Sequence, residues 1–124
     1  MKRLKNIVLN RKEAYPHYLR LINVILPKPL TPREIDVLSA FMELEGDIVE
    51  EDRFGTQARK IVREKFGFKK HSNLDNYIKY LKNKGVLYLD ENDGKLRINN
   101  RVAIPQDENE VELTFRFQLD GNKN

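Results

Sequence analysis

The sequence predicts an α+β fold in which a core of three helices is closed by a β-hairpin, with one further helix ahead of it and extended strands at the two ends. Three observations carry that prediction. The stretch LTPREIDVLSAFMELEG opens with the signals of a capped helix. Two shorter helical periods follow it and stop at Gly67 and Gly85. After Gly85 the apolar spacing changes from about 3.6 residues to about 2, around an Asp93-Gly94 step that favours a tight turn.

With 124 residues, 40% of them hydrophobic, the chain can bury one modest core. One domain is expected at residues 30–104, preceded by an arm and helix at 1–29 and followed by a linker and strand at 105–124. There is no cysteine and there are only two histidines, His17 and His71, far apart in the sequence. This argues against disulfides, zinc ribbons and thiol nucleophiles. No glycine-rich phosphate loop or paired catalytic carboxylates are visible either. The chain is therefore expected not to be an enzyme and to need neither cofactor nor metal. No apolar run reaches the length of a membrane span, and Arg11, Lys12 and Glu13 stand where an export signal needs apolar residues. A cytoplasmic protein that does not contact membrane is the expectation.

The net charge of +4 is laid out in blocks of alternating sign. Residues 1–30 carry about +6, 31–52 about −7, 53–84 about +8 and 85–124 about −3. The most basic block holds the second and third core helices, and a basic surface on helices is the electrostatic footprint of phosphate binding. The plainer reading is that lysine and arginine keep helices soluble, as they do on many surfaces.

At the start of the chain, Ile7 to Leu9 lie between basic residues and fit either a strand or a basic arm. Residues 15–26 supply Leu19, Ile22, Val24, Ile25 and Leu26 for a short helix, with Pro16 suited to its first turn and Pro27 and Pro29 ending it. In the next helix Thr31 is the N-cap, Pro32 the first helical residue and Glu34 the closing member of a capping box. Ile35, Leu38, Phe41 and Met42 form its core edge, and Gly46 is expected to stop it. Asp47 to Val49 fit a short strand, and Glu50, Glu51 and Asp52 a solvated turn that lacks the spacing of a calcium loop. Thr56 is expected to cap a helix whose apolar edge is Ala58, Ile61, Val62 and Phe66. A linker of residues 68–71 is too short for a long antiparallel pair, so this helix and the next should meet at a corner, which is helix-turn-helix geometry.

The helix after that corner, within HSNLDNYIKYLKNKG, is the stretch around which the chain is organised. Ser72 suits its cap, Asp75 an acidic form of the capping box, and Gly85 its end. Leu74, Ile78 and Leu81 make one apolar edge; Asn73, Asn76, Lys79, Tyr80 and Asn83 fall round the other side. Beyond it, VLYL and KLRI flank the turn DENDG as a hairpin, and RVAIP continues extended to Pro105. The last segment, VELTFRFQL, alternates strictly, with Val111, Leu113, Phe115, Phe117 and Leu119 on one face. Such a strand needs cover, either from residues 7–9 of its own chain or from a second copy.

The succession of helices and hairpin over residues 30–104 resembles a winged helix-turn-helix domain. Its opening, LTPREIDVL, resembles the first helix of LuxR-type DNA-binding domains, a pattern lost after Leu38. YLKNKGVLYLDENDGKLRI is similar to the helix-to-wing passage of winged-helix regulators of bacteria, archaea and their phages. The resemblance implies a DNA-binding protein, a transcriptional regulator, with residues 73–84 as a recognition helix in the major groove of double-stranded DNA. Asn73, Asn76, Lys79, Tyr80 and Asn83 would then touch bases, since asparagine suits adenine and lysine suits guanine. Arg59, Lys60, Lys69, Lys70, His71, Ser72 and Lys82 would hold phosphates, with Lys95 and Arg97 doing so from the wing. The wing tip, Asp90 to Asp93, is acidic where wings that touch DNA are basic. Pairing of the terminal strands would make a homodimer or higher homo-oligomer. The alternative is a winged helix used as a protein-interaction or assembly module, for example in a phage particle or replication complex.

Overall fold

The computed structural model describes residues 9–104, 114 and 116–120. Over these residues the chain is α+β, with five helices and a two-stranded antiparallel hairpin. The order is α1 (Arg11–Ile22), a 3-10 turn (Asn23–Ile25), α2 (Pro32–Met42), α3 (Asp47–Asp52), α4 (Thr56–Phe66), α5 (His71–Asn83), β1 (Leu87–Leu89) and β2 (Leu96–Ile98).

α2 forms where its capping signals place it. The Thr31 hydroxyl accepts from the Glu34 N–H at 3.2 Å, the Glu34 carboxylate accepts from the Thr31 N–H at 2.8 Å, and Pro32 occupies the first turn. Val37, Leu38 and Phe41 are fully buried, and α1, α4 and α5 all pack against this helix. α2 ends at Met42, earlier than Gly46. Its last carbonyls are met by a side chain: one Nη of Arg53 donates to Phe41, Met42 and Leu44 oxygens at 2.8, 3.2 and 3.3 Å. Gly46 instead opens α3, which stands where a strand and a turn were expected. Its φ of +82° turns the chain so that its carbonyl accepts from Val49 and Glu50 at 3.0 and 3.2 Å. Asp47 and Glu50 then sit in the first turn, where acidic groups are favoured.

α1 also departs from expectation. It begins at Arg11, capped by the Asn10 side chain accepting from Glu13 N–H at 2.9 Å, so Pro16 lies inside the helix and not in its first turn. An interior proline costs about 3 kcal/mol because it cannot donate to the carbonyl four residues back. Burial of Tyr15, Leu19 and Ile22 against the core, worth roughly 1.5–3 kcal/mol each, outweighs that cost. Val24 and Ile25, counted toward this helix, are exposed in the 3-10 turn. Asn23 ties the proline connector across by donating to the Leu30 carbonyl at 3.0 Å and accepting its N–H at 2.6 Å.

α4 is capped by Gly55 and not Thr56, which is its first helical residue, and it stops at Gly67 as expected. α5 ends in a paired motif: Val86 N–H reaches the Leu81 carbonyl and Gly85 N–H the Lys82 carbonyl, with Gly85 at φ +82°. Val86 and Leu81, the two ends of that motif, are both buried. The hairpin pairs Leu87 with Ile98, Tyr88 with Arg97 and Leu89 with Leu96. Residues 99–103 are a turn, not extended chain. The Asn99 carbonyl accepts from Val102 and Ala103, which delivers Val102 and Ile104 into the core.

The terminal strands are not formed among the described residues. Leu9, ahead of the α1 cap, Thr114 and residues 116–120 belong to no strand, with Phe117 79% and Leu119 87% exposed. Ile7, Val8, Val111, Leu113 and Phe115 lie outside the described residues. Among the described residues, no helix is long and apolar enough to cross a membrane.

Candidate nucleic-acid interface

α5 is shaped by its apolar edge. Leu74, Ile78 and Leu81 are buried against the core, and the helix period then turns Asn73, Asn76, Lys79, Tyr80 and Asn83 outward. All five are exposed. Asn76, Lys79 and Asn83 lie opposite the buried edge; Asn73 and Tyr80 lie on one flank of that row, and Lys82 on the other.

The helix starts at His71, with Lys70 in the cap position and no side-chain bond to the first turn. Ser72 is therefore inside the first turn and does not cap it. Asp75 does not complete a capping box either; its carboxylate accepts from Arg59 at 3.2 Å. Arg59 is further held by donating from Nε to the Phe54 carbonyl at 2.7 Å, so it braces α4 against α5. Lys60, Lys69, Lys70, His71, Ser72 and Lys82 are exposed. Among the described residues Lys60, Arg63, Lys69, Lys70, Lys79 and Lys82 make no ion pair, leaving a net positive surface over α4, the turn and α5.

The two cations of the hairpin are placed differently. Lys95 donates to the Glu51 backbone carbonyl, and Arg97 to Asp90 at 2.9 Å and to Asp93. The Asn92 N–H and the Arg97 guanidinium together hold the Asp90 carboxyl below its ordinary range. The hairpin thus neutralises its own arginine, and its exposed tip keeps Glu91 as a further negative charge. Between α3 and the hairpin runs a groove lined by Glu50, Glu51, Arg53, Tyr88, Lys95 and Ile104. Among the described residues no three His, Cys, Asp or Glu side chains gather where they could hold a metal ion.

Two features of this side of the molecule escape sequence reading. The first is a half-buried pair at the end of α5, where Lys84 Nζ donates to Glu34 Oε1 at 2.6 Å and to the Pro29 carbonyl at 2.9 Å. Burial, the largest influence, raises the Glu34 pKa, but Lys84 and the Thr31 N–H together bring it below the ordinary value. The second is an aromatic ladder. Phe66 stacks on Phe68 at 5.6 Å, Phe68 on Tyr77 at 5.8 Å, and Tyr77 meets Tyr80 edge-on at 6.3 Å. Its only sequence signal is the pair of phenylalanines on either side of Gly67 and the Tyr77 and Tyr80 spacing of one helical turn.

No family model matches the chain, and neither does any curated protein or solved structure.

Proposed function

We propose that this chain is a winged helix-turn-helix protein that binds double-stranded DNA, with α5 in the major groove, and that it acts as a transcriptional regulator. The observation that carries the proposal is the outward row on α5, Asn73, Asn76, Lys79, Tyr80 and Asn83, exposed and bordered by cations without acidic partners. In this reading α2, α4 and α5 are the three-helix core and β1–β2 the wing. Asparagine presents a donor and an acceptor to adenine, and lysine a donor to guanine, so the row has the chemistry for base edges. Lys60, Lys69, Lys70 and Lys82 take the phosphates. Arg59, Lys95 and Arg97 have less to offer, because each is already held by acceptors of its own chain.

The test is binding of a random-sequence duplex followed by fluorescence anisotropy at several salt concentrations. Four lysines engaged on phosphates give a slope of log affinity against log salt of about −3.6. Absence of binding at low salt, or a flat response, refutes the proposal. That outcome would favour a protein-interaction module, the reading supported by the self-neutralised hairpin and by exposed Phe117 and Leu119.

A further inference from the structure

We infer that Arg33, at the start of α2, is a preset phosphate contact on the flank of α5 opposite Lys82; the inference rests on the DNA-binding reading above. Arg33 is exposed, and its guanidinium carbon lies 4.7 Å from the Phe66 ring centre and 5.4 Å from that of Phe68. Among the described residues it has no ion pair and no hydrogen bond. The neighbouring carboxylate of Glu34 is taken by Lys84, and Asp36, one turn on, does not pair with it. Stacking on an aromatic face fixes the plane of a guanidinium but leaves its N–H edge open. The result is a cation held in place whose donors have no acceptor among the described residues.

The ladder carries that cation to the side of α5. Phe68 stacks on Tyr77, and Tyr77 touches Tyr80, so Arg33 belongs to the Tyr77 and Tyr80 flank of the helix. Lys82 projects from the opposite flank, where Asp75 meets Arg59. A helix in the major groove, about 12 Å wide, has a phosphodiester backbone on each side. Lys82 on one flank and Arg33 on the other match that pair of backbones. A planar guanidinium suits the bidentate geometry of a phosphodiester better than an ammonium does. In sequence Arg33 is remote from the helix-turn-helix, and only the stack of Phe66 and Phe68 brings it there.

The test compares wild type, Arg33→Gln, Arg33→Lys and the double variant Lys69→Ala/Lys70→Ala on one random-sequence duplex across a salt series. Loss of one phosphate contact lowers the salt slope of Arg33→Gln by about 0.9, which amounts to roughly eightfold weaker binding at 0.1 M salt and convergence with wild type near 1 M. Arg33→Lys keeps a charge at that place and therefore keeps the wild-type slope. If Arg33→Gln retains the full slope while the double lysine variant loses part of it, Arg33 is outside the interface and the inference is wrong, although the DNA-binding reading stands. Loss of slope in Arg33→Lys equal to that in Arg33→Gln also overturns it, because charge would not be what Arg33 supplies. Wild type that shows no salt-dependent binding removes both readings together.

Discussion

Replacing Lys84 with methionine strands a buried carboxylate, and the structure indicates how much that should matter. The Glu34 side chain is 5% exposed and that of Lys84 25%, with 2.6 Å between Nζ and Oε1. Removing one partner of a fully buried pair costs about 3–5 kcal/mol. Because a quarter of the Lys84 side chain is exposed, water takes over part of its role, and about 2 kcal/mol is the expected loss. With a urea dependence of about 2 kcal/mol per molar, the unfolding midpoint falls by roughly 1 M at pH 7. The pH dependence separates this cause from lost packing. Glu34 has a folded-state pKa below the ordinary 4.5, so its contribution is complete above that value and fades as pH falls through the lower folded one. Wild type therefore loses its advantage in acid, and the gap between the two proteins narrows below pH 4.5. Urea titrations followed by circular dichroism at pH 7 and near pH 3 read both effects. An equal midpoint shift at the two pH values would show that the alkyl chain or the bond to Pro29, not the Glu34 charge, is what Lys84 contributes.

Asn76→Ala or Asn83→Ala should weaken binding to a selected site by about 1–3 kcal/mol and leave random duplex nearly untouched, since these side chains would read bases; equal loss on both DNAs removes them from that role. Arg53→Ala leaves the carbonyl end of α2 without its charged donor and should cost about 2 kcal/mol in chemical unfolding, with Arg53→Lys recovering part; a change within about 0.5 kcal/mol contradicts the capping role. We also propose self-association through the C-terminal segment, because Phe117 and Leu119 are uncovered in a single chain. Sedimentation of the full chain beside a truncation ending at Gln106 tests this, and monomers in both over the same concentrations exclude it.

The helices with complete local signals were legible in the sequence. α2 carried its capping box, α4 and α5 carried an apolar edge and a closing glycine, and the hairpin carried Asp93-Gly94. Where local rules failed, a tertiary contact had overridden them. Pro16 sits inside α1 because Tyr15, Leu19 and Ile22 are buried on both sides of it. α2 stops short of Gly46 because Arg53 arrives from beyond α3 to satisfy its carbonyls. Ser72 and Asp75 had the identities of a cap, but helix α5 is capped at Lys70, two residues earlier, and Arg59 claims the carboxylate. The outward row of α5 was readable because helical period alone decides it. Arg33 was not, since its place depends on a stack assembled from α2, α4, the turn and α5. No pattern of spacing within one element encodes such a contact.

The two ends of α5 are fastened very differently. At its C-terminal end, Gly85 and Val86 close the last carbonyls while Lys84 clasps both Glu34 and the Pro29 carbonyl, so that end cannot open without disturbing α2. At the other end Lys70 lends no side chain to the first turn, and that turn adjoins exposed Lys69 and His71. Local opening free energy should therefore rise along the helix, from His71 to Asn73, which precede buried Leu74 and fray with little loss, to a last turn that unfolds only with the core. A helix clasped at its last turn and pinned near its start by buried Leu74 and the Asp75–Arg59 pair leaves only its first three residues to shift against a surface while the rest of the row keeps its register.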